Sequence, residues 1–76
     1  MTHTEALELI VANQDANALN WAVNYAKVAL VMVKHGMEPE EIAHQLLYVR
    51  SNLSHWRHPQ AKDVRLALDK YIKEAR

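Results

Sequence analysis

The sequence predicts an all-α fold: a small bundle of three helices, or four if the first is broken, with a long first helix and assembly as a homo-oligomer. Three observations carry that prediction. Apolar residues recur at helical spacing along most of the chain, and the one glycine and two prolines fall only where helices would stop or start. No strand pattern, repeat or low-complexity segment competes with them. Seventy-six residues make a single domain, residues 1–76. A domain of this size buries only about 60% of its unfolded surface, so a lone monomer would be marginal and oligomerisation would offset the shortage.

The first helix begins at a T-x-x-E capping box, Thr2 with Glu5, and runs towards Gly36, placed where a helix C-cap needs a left-handed residue. Its weak point is Asn13-Gln14-Asp15-Ala16-Asn17, because Asn and Asp favour caps and turns. A continuous or slightly kinked helix is the expectation. Leu19, Ala22, Val23, Ala26, Leu30 and Val33 make one apolar stripe; Trp21, Tyr25, Val28 and Met32 make a second beside it. Together these cover more of the helix than two short partners need, so the second stripe is either a wide core face or surface shared between subunits. A third row, Asn13, Asn17, Asn20, Asn24 and Lys27, recurs at spacings of four and three. Asn is a poor helix former for a merely solvated edge. The row is read as a solvent edge or register device on one hand, and as a hydrogen-bonding wall of a pocket on the other.

A second helix is expected from about Pro39, with Glu40 and Glu41 at its positive end and Ile42, Leu46, Val49 and Leu53 on its inner face. It should end shortly before Pro59, leaving His55–His58 as a frayed end or short link. Pro59 then opens the last helix, with Ala61, Val64, Leu68, Tyr71 and Ala75 inward and Lys62, Asp63, Asp69, Lys70 and Lys73 outward.

Charge is balanced to zero over the whole chain but not along it. Residues 1–47 carry −4, residues 48–65 carry +3 and the remainder +1. The basic stretch YVRSNLSHWRHPQAKDVR, Tyr48 to Arg65, is therefore the place to expect an anionic ligand. Arg50, Arg57, Lys62 and Arg65 would hold phosphate, Tyr48 or Trp56 would stack on a base, and Asn20, Asn24 and Asn52 would read polar edges. On a helix, Arg50, Ser54 and Arg57 would share one edge, and Tyr48, Asn52 and His55 the next. The opposing reading pairs Arg50 and Arg65 with acids such as Glu41 or Asp69 and uses Trp56 to cap the core.

Other chemistries are less well supplied. The chain has no cysteine, which excludes disulfides and thiolate zinc sites. His44, His55 and His58 lack a His-Glu-x-x-His pattern or a flanking carboxylate set, so no metal or other cofactor is expected. Ser51 and Ser54 have histidines nearby but no nucleophile elbow, which points to a binder and not an enzyme. Residues 36–46 resemble the first helix of a helix-turn-helix, yet the helical pattern continues through Leu47 where that motif turns. Nucleic acid is thus an unfavoured partner, and membrane is excluded as one because no apolar run is long enough to span it. Without a signal-peptide pattern, a soluble, cytoplasmic protein is expected.

The run LYVRSNLSHWR, residues 47–57, followed by AKDVR, residues 61–65, resembles the C-terminal half of short helical proteins encoded by phages and prophages. The resemblance covers under half the chain. It implies a role in host takeover or counter-defence, in the bacterial host cytoplasm, by inhibiting an enzyme or sequestering a nucleotide immune signal. It transfers no site residues. Two functions follow: a homo-oligomer that sequesters a phosphate-bearing nucleotide, and an interaction module docking its Trp21, Tyr25, Val28 and Met32 face on a host protein.

Overall fold

The computed structural model describes residues 1–16 and 19–75, together with the backbone of Asn20 but not its side chain. Among the described residues the chain forms four helices and no strand: α1 (His3–Ala12), α2 (Asn20–Lys34), α3 (Pro39–Ser51) and α4 (Ala61–Glu74). Each packs chiefly on two neighbours, in the cyclic order α1, α2, α3, α4, with α4 closing on α1. The molecule measures 30 × 20 × 18 Å. No helix in the described residues is long and apolar enough to cross a membrane.

The predicted continuous first helix is two helices. At the weak point, the Asn13 side chain turns back so that Nδ2 donates to the Leu9 carbonyl at 2.8 Å, and its backbone N–H bonds Ile10 O. Short-range bonds from Gln14 to Val11 and from Ala16 to Asn13 continue the reversal. An Asn side chain offers the backbone this alternative to helix, and here it ends α1. The row from Asn13 to Lys27 is therefore not one helix edge. Asn17 and the Asn20 side chain lie outside the described residues; Asn24 and Lys27 are exposed on α2.

Both ends of the first helical pair are set by local chemistry. Glu5 N–H donates to Thr2 Oγ1 at 3.1 Å and Thr2 N–H donates to Glu5 Oε1 at 2.9 Å, completing the capping box. Gly36 has φ of 67°. Its N–H bonds Val33 O, and Met37 N–H bonds Met32 O, the paired bonds of a Schellman stop.

The second predicted helix also stops early. α3 ends at Ser51, where Ser51 Oγ donates to Leu47 O at 2.7 Å and Asn52 Nδ2 donates to Tyr48 O at 2.8 Å. Beyond it, Leu53 and Trp56 both turn into the core, which requires the chain to fold over the bundle end. α4 starts two residues after Pro59, at Ala61. Its buried stripe is Ala61, Val64, Leu68 and Ile72; Tyr71 and Ala75, expected inward, are only half-buried.

The core draws on every helix. Leu7, Ile10, Leu19, Leu46, Val49, Leu53, Val64 and Leu68 are fully buried. Alanines at 6, 22, 26, 29, 43 and 61 lie among them and let neighbouring backbones approach closely. Among the described residues no polar or charged side chain is buried, so apolar burial at roughly 25 cal/mol per Å² is the main cohesive force.

Candidate functional site

The basic, aromatic segment spans the end of α3, the link and the start of α4, and most of its groups are engaged in holding that junction together. Arg50 Nε donates to Asp69 Oδ1 at 3.0 Å, joining the last turn of α3 to α4. Arg65 reaches back from α4 so that Nη1 lies 3.3 Å from both Leu53 O and Trp56 O. Both carbonyls belong to the link; Leu53 O also accepts from Trp56 N–H at 3.1 Å, so Arg65 matters most to Trp56 O. Trp56 is 5% exposed, and its outer side is covered by His58 with ring centroids 5.0 Å apart. It has no open face for a base.

The remaining members are dispersed. Ser54 and Arg57 lie beyond the end of α3, so the expected Arg50, Ser54 and Arg57 edge does not exist as a helix row. Nor does the row of Tyr48, Asn52 and His55, since Asn52 caps the helix and His55 follows it. At the α4 start, Gln60 N–H already donates to His58 Nδ1 and Ala61 N–H to His58 O, which occupies two of the amides the anion seat would use. Arg57 and Lys62 remain exposed, and neither forms an ion pair among the described residues.

Concave surface lies mostly elsewhere; only an open depression of about 530 Å³ takes in Gln60 and Asp63 of the segment, with Met1, Leu66, Ala67 and Lys70. A shallow groove of about 250 Å³ between α3 and α4 is lined by Glu40, Ala43, His44, Leu47, Ile72 and Ala75. A smaller one of about 190 Å³ lies where His3 packs at a tilt against Tyr71, with ring centroids 4.1 Å apart. Neither includes Arg50, Arg57, Lys62, Arg65 or Trp56. Among the described residues no three metal-ligating side chains gather. α3 is unbroken through Leu47 and Tyr48, so it lacks the turn of a helix-turn-helix there.

The outer face of the α2–α3 hairpin exposes several large apolar side chains. Trp21 is 60% exposed, Val28 50%, Val31 55% and Tyr48 47%. Helical spacing puts Trp21, Tyr25, Val28 and Met32 on one line of α2. Tyr25 joins that line to α3, packing on Tyr48 at 5.6 Å, while His44 meets the same Tyr48 ring edge-on at 5.5 Å. Gln45 Nε2 donates to Tyr25 O at 3.1 Å and holds the two helices in this register. The second stripe of the sequence thus divides: Tyr25 and Met32 lean partly on the core, and Trp21 and Val28 stand out from it. The α3 contribution, Tyr48 and His44, could not be read from α2 periodicity; only the antiparallel hairpin brings them alongside. Compared with known proteins, the chain matches no family model, no curated protein and no solved structure.

Proposed function

We propose that this chain is a non-catalytic interaction module whose α2–α3 outer face docks on a protein surface. The observation that carries the reading is the exposure of Trp21, Val28 and Tyr48 beside the Tyr25–Tyr48 contact, with Val31 one turn beyond Val28 on the Lys27 and Lys34 side. Interface hot spots are enriched in Trp and Tyr because a rigid ring buries much area with few rotamers to fix. The basic junction supports this order of preference, since Arg50, Arg65 and Trp56 are occupied with internal partners. The resemblance to phage proteins adds a host protein to the partners worth testing.

The test is site-specific photocrosslinking in the producing cell. A photoreactive phenylalanine analogue at position 21 or 28 is expected to give covalent adducts, whereas the same group at Lys73, exposed on α4, gives none. Equal adduct yields from the two faces, or none from either, would overturn the reading.

A second reading keeps Arg57 and Lys62 as phosphate contacts for a sequestered nucleotide, because both are exposed and without an ion pair among the described residues. Calorimetry against cyclic and ADP-ribose-type nucleotides checks it; a flat response across the panel removes it.

A further inference from the structure

The α2–α3 face has charge polarity as well as apolar area, and this polarity identifies an occupant. Glu38, Glu40 and Glu41 outnumber Lys34 where α2 hands over to α3, at one end of the hairpin; helical spacing puts Glu41 in the row of Gln45 and Tyr48, while Glu40 lines the α3–α4 groove. Arg57 and Lys62 are exposed at the opposite end, beyond the last turn of α3 and at the start of α4, where they outnumber Asp63. α3 has 13 residues, so the two ends stand roughly 20 Å apart, well beyond the screening length of about 8 Å at physiological salt. They act as separate charges of opposite sign, with the aromatic face between them.

We infer that the face is covered by a second copy of this chain, related by a two-fold axis through the Tyr25–Tyr48 region and perpendicular to the hairpin. The inference rests on the docking reading above and names its partner. A two-fold operation of this kind reverses the hairpin, so each acidic end meets the partner's basic end, twice per dimer. The parallel alternative sets acid on acid and base on base. An isologous contact also needs a self-complementary patch, and the centre of this one, Trp21, Tyr25, Val28 and Tyr48, is uncharged.

Area is consistent with the same occupant. The exposed parts of Trp21, Val28, Val31 and Tyr48 amount to on the order of 400 Å², near the largest patch that a monomer ordinarily shows to water. Doubled across a two-fold and joined by its charged rim, such a patch reaches the lower range of specific interfaces, about 1,200 Å². Lys27 and Lys34 lie on the flank of α2 away from α3, at the rim.

Sedimentation equilibrium on the purified full chain tests the proposal. The wild-type protein is expected at twice its 8.8 kDa chain mass at micromolar concentration. Trp21→Glu is expected to sediment as a monomer with unchanged helical circular dichroism, since Trp21 lies outside the core. Glu41→Lys and Arg57→Glu should each weaken dimerisation about tenfold, and the double variant should return most of that loss because the exchanged charges again oppose. A wild-type monomer throughout the concentration range, a Trp21→Glu dimer, or a double variant weaker than either single overturns the second copy as partner. A wild-type monomer that still gives heavier foreign adducts from position 21 in cells removes only the dimer, whereas loss of all adducts removes the docking reading as well.

Discussion

Gly36 holds φ at 67°, where an L side chain brings its Cβ against the backbone, and nothing else surrounds the position within 4 Å. Glycine is needed there for backbone freedom and not for space. Gly36→Ala is therefore expected to lower stability by about 1 kcal/mol, and Gly36→Asn by less, since Asn tolerates the left-handed region. Urea unfolding of the two variants measures the difference. His3 sets a second single-residue dependence. Its burial against Tyr71 pushes the imidazole pKa below the ordinary 6.5, because the charged ring loses water on folding. The folded state then binds fewer protons than the unfolded state near that pH. Its contribution is full above pH 6.5 and is lost as pH falls through the lowered value. The residues around it are Met1, Thr2, Lys70, Tyr71 and Glu74, with the capping-box Glu5 two residues further along α1. Glu5 is itself held below the usual carboxylate range by hydrogen bonds with the Thr2 backbone and hydroxyl, so its loss comes at more acidic pH. Urea midpoints taken between about pH 7.5 and about pH 5 should fall, and His3→Gln should flatten that slope.

Helix boundaries show which parts of the architecture are carried by local sequence. The Thr2 box, the Gly36 stop and the Pro39 start each depend on residues within four positions, and all three are where their residue types place them. The inner faces of α2 and α3 were legible for the same reason, since periodicity alone locates Ala22, Val23, Ala26, Ile42, Leu46 and Val49. The end of α3 was not legible, because it depends on Leu53 and Trp56 finding core space supplied by α4. The cations were misleading in a related way: an arginine serving link carbonyls has the same letters as one serving phosphate. Arg65 is such a residue, half-buried and shared between Leu53 O and Trp56 O. Arg65→Met should cost about 1–3 kcal/mol, chiefly through the Trp56 carbonyl, since Leu53 O keeps the Trp56 N–H as a donor. Arg50→Met should cost under about 1 kcal/mol, because its pairing with Asp69 is half-exposed and screened. Thermal unfolding of both variants decides whether the junction depends on Arg65 or on the visible ion pair.

For a molecule of 76 residues, total stability is expected at roughly 4–11 kcal/mol, so core and surface can be told apart by how much of it each residue controls. Leu46 is fully buried. Leu46→Ala removes about 2–5 kcal/mol by transfer and cavity terms, and that loss is the same at any protein concentration if the subunit is the folding unit. Trp21 touches water over most of its surface, so Trp21→Ser should leave a dilute monomer almost unchanged. If the α2–α3 face is an interface, the two variants diverge with concentration. Association stabilises wild-type protein by mass action and cannot stabilise a variant that no longer associates. Denaturation midpoints taken over a hundredfold range of protein concentration should therefore rise for wild type, stay flat for Trp21→Ser, and for Leu46→Ala rise in parallel with wild type from a lower origin. Parallel flat lines for all three would remove self-association through the aromatic face.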